Sequence, residues 1–240
     1  FFLTNKKDIF DTDNNIYNQS SLYLCSYNER GIILLENLTN LMFQTGHIYI
    51  YLNDYYEYTR HFIHLMNNIY VVPFHKNLKA VSKLYCFCNI TQSYTYNFII
   101  DDDIIYGNDY IKYTVDNYLK NSSSHSLMSY NGFTDKYKFS FTKKHNPDKI
   151  ICLNKIGTGT TFFKQGVIDK KKLMNFINKN TQNNYFSIMA DKLLSEFAKN
   201  HKIPMIYTNP KYNRWLLNNS KISLNTIPGL FELKKNKNII

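Results

Sequence analysis

Cysteine, glycine, proline and tryptophan are scarce in this 240-residue chain, which holds 4, 8, 5 and 1 of them. The cysteines, Cys25, Cys86, Cys88 and Cys152, are too few and too irregularly spaced for a disulfide framework. Cys86-x-Cys88 has no second pair and no nearby histidine, which argues against structural zinc. The thiols are expected to be reduced, in strands or core, as in a cytoplasmic protein. So little glycine and proline excludes collagen-like and low-complexity linker classes. No apolar run approaches the roughly 18 residues that a spanning helix needs. Phe1-Phe2-Leu3-Thr4-Asn5-Lys6-Lys7 puts its charges after the apolar residues and has no h-region, so it is not read as a signal peptide. A first residue of Phe is consistent with a missing upstream segment. Acidic residues are the minority: 18 against 29 basic, a formal charge of +11.

What is present excludes a disordered chain: 44% of residues are hydrophobic and 16% aromatic. The length suffices for a large buried core. Positive charge points to an anionic partner, and nucleic acid, a membrane surface or a phosphorylated substrate all qualify.

Residues 1–20 read as an irregular lead-in, and 21–240 as one domain without linker or repeat. Leu22–Ser26 is expected to be the first buried strand, followed by a helix with Leu34, Leu38, Leu41 and Met42 on one face. Further strands are expected at His47–Leu52, Ile69–Val72 and Tyr96–Ile100, and a helix from about Asp109 with Ile111, Val115 and Tyr118/Leu119 on one side. Beyond residue 125 the reading is short strands near 127–130, 150–153 and 160–163, with helices near 169–180 and 187–200. This rhythm predicts an α/β fold with a mostly parallel sheet between helices. Ligands bind at the carboxyl ends of such strands, which singles out Ser26–Arg30, Asn53-Asp54 and Asp101–Asp103.

Asp101-Asp102-Asp103 directly follows a buried strand. Like charges this close repel, and nothing in the local sequence neutralises them. A divalent cation would. Strand-like alternation would turn Asp101 and Asp103 to one side, where they could share Mg²⁺ or Mn²⁺ completed by phosphate oxygens. The bland alternative is an acidic turn or helix-capping run. Asp11-Thr12-Asp13 has the same spacing but no strand before it, and reads as solvated loop.

With Tyr51–Tyr55, Gly157-Thr158-Gly159-Thr160, Met189-Ala190-Asp191, Ile203-Pro204 and Trp215, the acidic stretch resembles bacterial family-2-like glycosyltransferases of the GT-A fold. The likeness covers about residues 20–217 and is closest to members that assemble capsule and lipopolysaccharide. It implies a nucleotide-diphospho-sugar donor, with Asp101 and Asp103 as metal ligands and Asp102 facing ribose or sugar. Tyr27, Arg30 and Asp54 would cradle the nucleoside, and Lys83 would contact phosphate. Gly157, Thr158 and Gly159 would line the donor-sugar and acceptor pocket, and Trp215 would stack on a sugar. Asp191 would be the general base of an inverting transfer; its plain alternative is a helix N-terminal carboxylate. An anionic or lipid-linked glycan acceptor at the cytoplasmic face of the inner membrane would account for the basic charge.

Two other functions fit parts of the sequence. A nucleic-acid-binding domain would use the charge and the aromatics, but the basic residues are scattered, with only short clusters at Lys143-Lys144 and Lys170–Lys172. A nucleotidyltransferase would use the same carboxylates, but no Gly-rich phosphate loop is present.

Overall fold

The computed structural model describes residues 14–27, 30–53, 68–72, 78–121, 125–140, 150–181, 189–210 and 216–218. The expected roles of Asp54, Tyr55 and Trp215, the Asp11-Thr12-Asp13 control and the Lys143-Lys144 cluster lie outside these residues.

In chain order the first half holds α1 (Asn14–Gln19), β1 (Ser20–Tyr27), α2 (Gly31–Leu41), β2 (His47–Asn53), β3 (Ile69–Val72), α3 (Ser82–Asn89), β4 (Tyr96–Ile100), β5 (Ile104–Tyr106) and α4 (Tyr110–Asn121). There follow β6 (Leu127–Ser129), β7 (Gly132–Phe133), β8 (Lys138–Phe139), β9 (Ile151–Cys152), β10 (Lys155–Ile156), β11 (Thr160–Lys164), α5 (Lys170–Thr181), α6 (Ala190–Asn200), β12 (Met205–Tyr207) and β13 (Leu216–Asn218). The expected strands at Ile69–Val72 and Tyr96–Ile100 have the bounds the sequence suggested. Residues 14–19 are helical where an irregular lead-in was expected. The sequence reading placed no helix at 82–89, because Leu84, Tyr85, Cys86 and Phe87 are strand-like by composition. Packing of this segment against β1 and β2 makes it helical.

The main sheet runs β3-β2-β1-β4-β11-β6-β12-β9. Pairing is parallel for β1–β2, β2–β3, β1–β4 and β6–β12. β11 lies antiparallel between β4 and β6, and β9 antiparallel against β12. The mostly parallel α/β fold is therefore the one expected, with β11 turned because a tight turn, not a helical crossover, feeds it.

Alternation along β1 and β4 builds two cores. Leu22, Leu24, Phe98 and Ile100 pack on one face with Leu34, Leu38 and Leu41 of α2 and with Ile111, Val115 and Tyr118 of α4. Tyr23, Cys25 and Ile99 pack on the other with Leu84 and Phe87 of α3, Leu173 and Ile177 of α5, and Leu193, Leu194 and Phe197 of α6. Burying each such side chain contributes about 1.5–3 kcal/mol. Lys170 pins α3 to α5: its ammonium donates to Ile90 O at 2.5 Å and Gln92 O at 3.0 Å, and lies 5.0 Å from the Phe87 ring centroid. Among the described residues no helix is long and apolar enough to cross a membrane.

The chain runs outward from β1 through β2 to β3, then returns to place β4 on the other side of β1. That reversal opens a crevice beyond the carboxyl ends of β1 and β4, the standard ligand position of such sheets.

Candidate active site

β1 ends in Ser26 and Tyr27, and β4 ends at Ile100 with Asp101 next. The acidic run does not continue as strand. Asp102 and Asp103 form a turn into β5, so the alternation expected to pair Asp101 with Asp103 is absent. Asp101 goes instead to Lys83, while Asp102 and Asp103 share Arg30.

Asp102 turns inward and is 3% exposed. Ser26 Oγ donates to its Oδ2 at 2.6 Å and Arg30 Nη1 to its Oδ1 at 2.7 Å, while the Asn37 amide donates to its backbone carbonyl. Arg30 also reaches Asp103 Oδ2 at 3.2 Å. Lys83, in the first turn of α3 and 2% exposed, is ion-paired with Asp101. Nothing in the local sequence neutralises the run; the neutralising cations come from α3 and from the entry to α2, distant in sequence.

The turn is stitched to α2 through its backbone. Asn37, Asn40 and Gln44 donate to the carbonyls of Asp102, Tyr106 and Gly107 in order, the last at 2.9 Å. Sequence reasoning passed over these residues, although Asn37 and Asn40 share an i, i+3 edge of α2 and Gln44 follows in the turn after it. Tyr106, buried, accepts from Asp101 N at 2.9 Å and donates to Gly159 O at 2.7 Å. A Cβ on Gly159 would run into the Asp101 carboxylate, and one on Gly157 would lie 2.9 Å from the Asn131 side chain. These two glycines let the turn before β11 close on its neighbours.

Asp191 stands in the first turn of α6. Its Oδ1 accepts from Thr158 N at 2.8 Å and Thr158 Oγ1 at 2.6 Å, and the described residues give its Oδ2 no hydrogen bond. Asp191 is also close enough to Lys83 to raise the lysine's pKa. Asp101, Lys83, Gly159, Thr158 and Asp191 therefore converge. Tyr27, half-buried, closes the end of β1 opposite Asn53.

Burial disfavours the Lys83 ammonium, but Asp101, Cys25 and Asp191 outweigh it and lift its pKa to about 12. Arg30 is raised in the same way, burial being overcome by Asp102 and Asp103. Burial raises Asp102, against the pull of Arg30 and Ser26. Asp103 is pushed up to about 7, first by burial and then by Asp101 and Asp102. Three carboxylates face two cations, and the surplus negative charge falls on Asp103.

That surplus sets the fit of a divalent cation. Among the described residues no group of three or more His, Cys, Asp or Glu side chains converges as a protein-only cage. Asp101 and Asp103 have side chains 38% and 20% exposed, so both are open to a further partner. Two open carboxylates with excess negative charge suit an ion that takes its other ligands from substrate phosphate and water.

A raised carboxylate makes the fold bind its proton more tightly than the unfolded chain does. The stability Asp103 contributes is full below its ordinary value of 3.8 and is lost as pH rises through about 7. The metal-free melting temperature should therefore fall between pH 5.5 and 8 by more in the native chain than in Asp103→Asn. Each kcal/mol corresponds to roughly 2–4 °C in a domain of this size. Equal pH profiles for the two proteins would contradict the assignment.

No protein-family model and no curated protein sequence matches the chain. Solved structures do. GalNAc-T7, crystallised with UDP, GalNAc and Mn²⁺, superposes with a TM-score of 0.57 at 11% identity, covering 82% of this chain and 43% of that one. Residues 1–349 of S. aureus TarS give a TM-score of 0.50 at 12% identity, over 80% of this chain and 60% of that one. A further S. aureus TarS structure gives 0.50 at 10%, over 80% and 37%. The chain thus spans less than two thirds of each of these neighbours. The neighbours are GT-A glycosyltransferases, and at such identities the likeness is one of architecture: this chain has the GT-A fold.

Proposed function

We propose that the chain is a metal-dependent glycosyltransferase that moves a sugar from a nucleotide-diphospho-sugar to a glycan hydroxyl with inversion. The observation that carries this reading is the surplus carboxylate charge of Asp101 and Asp103 at the β1/β4 crevice of a GT-A fold, beside Asp191. Mg²⁺ or Mn²⁺ on Asp101 and Asp103 would neutralise the donor diphosphate and stabilise the departing nucleoside diphosphate. Tyr27, Arg30 and Asp54 receive the nucleoside. Asp102, held by Ser26 and Arg30, fixes the guanidinium and the acidic turn, and its place beside the ribose comes through that turn. Lys83 adds positive charge beneath the diphosphate.

Gly157, Thr158 and Gly159 form the wall next to the sugar, the two glycines letting that wall pack tightly on Asn131 and Asp101. Thr158 fixes Asp191 Oδ1, leaving Oδ2 to take the acceptor hydroxyl's proton. The acceptor oxygen attacks the anomeric carbon as the bond from that carbon to the diphosphate breaks. The proton ends on Asp191 and the bonding electrons leave with the nucleoside diphosphate. A surface glycan of the capsule or lipopolysaccharide kind, met at the cytoplasmic face of the membrane, is the acceptor consistent with the basic charge.

UDP should raise the melting temperature only with Mn²⁺ or Mg²⁺ present. At a hundredfold excess over Kd, binding contributes about 2.7 kcal/mol, or roughly 5–10 °C here. Asp101→Asn with Asp103→Asn should abolish that shift while leaving the unliganded protein folded. If UDP, GDP and CDP all shift the melting point without metal, or the double variant keeps the shift, the site assignment is wrong.

A further inference from the structure

The three-stranded sheet β10-β7-β8 carries a feature the donor site does not use. Lys155 pairs with Phe133 across β10 and β7, and Phe133 with Lys138 across β7 and β8. Directly opposed residues share a face, so the three side chains form one row. The Lys155 and Lys138 ammoniums lie 5.5 and 5.6 Å from the centre of the Phe133 ring. Lys138 is exposed, and Lys155 and Phe133 are half-buried. Neither ammonium is in an ion pair among the described residues, where the pairs belong to Arg30, Lys83, Lys112 and Lys192. The carboxylate of the same hairpin, Asp135, is engaged by the Asn154 amide. Like charges held about one ring repel, and an anion between them relieves that.

The row is tied to the reacting end of the site. β10 runs directly into Gly157, and Gly157 N donates to Asn131 O at 2.9 Å, two residues before Phe133. Ile156 N donates at 3.0 Å to Ser195 Oγ, on α6 one turn beyond Asp191. Two extended residues, roughly 7 Å, separate Lys155 from Gly157.

Resting on the glycosyltransferase reading, we propose that the Lys155–Phe133–Lys138 row binds an anionic group of the acceptor, making the acceptor an anionic glycan. Its hydroxyl reaches Asp191 while its charged group lies at Phe133 between the lysines. The nearness of the row to the Gly157 turn favours an anion carried by the acceptor itself over a lipid headgroup.

The test compares binding of a galacturonate hexamer with neutral maltohexaose to the full chain in UDP and Mn²⁺. The charged hexamer should bind at least tenfold tighter. Lys138→Ala with Lys155→Ala should remove that preference, the corresponding arginine pair should restore it, and the UDP-dependent thermal shift should be the same in all three proteins. Equal affinity for the two hexamers, or a preference that survives in the alanine pair, overturns the proposal. So does lysine-dependent binding of phosphatidylglycerol–phosphatidylcholine vesicles without binding of the charged hexamer, which would make the row a membrane contact. Absence of the UDP shift in the native chain overturns the donor reading and, with it, the assignment of this row to an acceptor.

Discussion

Asp102→Ala should lower the melting temperature by roughly 10 °C, and Asp101→Asn, which takes the carboxylate from the buried Lys83 ammonium, by several degrees, while Asp103→Asn leaves the unliganded fold in place. The three neighbours differ because their surroundings do. Asp102 is the buried one, and its carboxylate joins the end of β1 at Ser26 to the entry of α2 at Arg30. Alanine there leaves a guanidinium with Asp103 and takes away the carboxylate that the buried Ser26 hydroxyl meets at 2.6 Å. Breaking a buried ion pair from one side costs about 3–5 kcal/mol, and a domain of this size loses roughly 2–4 °C per kcal/mol. Circular dichroism melts of the three single variants without nucleotide are the measurement. A melting point for Asp102→Ala within a degree or two of the native one would remove Asp102 from the framework and leave it as a ligand group only.

Asp191→Asn should slow hydrolysis of the bound nucleotide-sugar by about 10²–10⁴-fold, the range for a positioned general base. Water stands in for the acceptor in that assay, so no acceptor need be known. The asparagine keeps the shape of the side chain and an oxygen for Thr158, but it cannot take a proton. UDP with Mn²⁺ should therefore still give its full thermal shift. If the variant loses that shift, or hydrolyses at the native rate, Asp191 serves α6 and the Thr158 turn and is not the base. Favourable placement of a carboxylate near a helix N-terminus would then account for it.

The framework was legible where local pattern and tertiary packing agree. Ile69–Val72 and Tyr96–Ile100 are dense in strand formers and are strands, and Leu34, Leu38 and Leu41 mark the buried edge of α2. The Asp101–Asp103 run stood out because carboxylates are costly beside a core, and Asp191 through the family resemblance. Arg30 and Lys83 stood out as ligand groups and not as the electrostatic partners of these carboxylates. Arg30 and Lys83 lie far from the acidic run in sequence, and Lys83 sits on a helix whose alternating Leu84, Tyr85, Cys86 and Phe87 suggest a strand. The side to which each aspartate turns was also beyond local reading, since it depends on where β4 ends and the turn to β5 begins. The small sheet with Lys155, Phe133 and Lys138 was invisible for the same reason: its row exists only across three short strands.

The amides of Asn37, Asn40 and Gln44, which fasten the acidic turn to α2, make that turn poor material for loop exchange. A donor loop grafted between β4 and α4 would arrive without its helical clasp and leave three side-chain amides facing the wrong backbone. The smallest piece that can be moved to another scaffold, or recombined between related chains, is β1 and α2 together with the β4–β5 turn. Chimeras with a crossover between residues 41 and 96 separate the clasp from what it holds, whereas chimeras that inherit both sides from one parent keep the site intact.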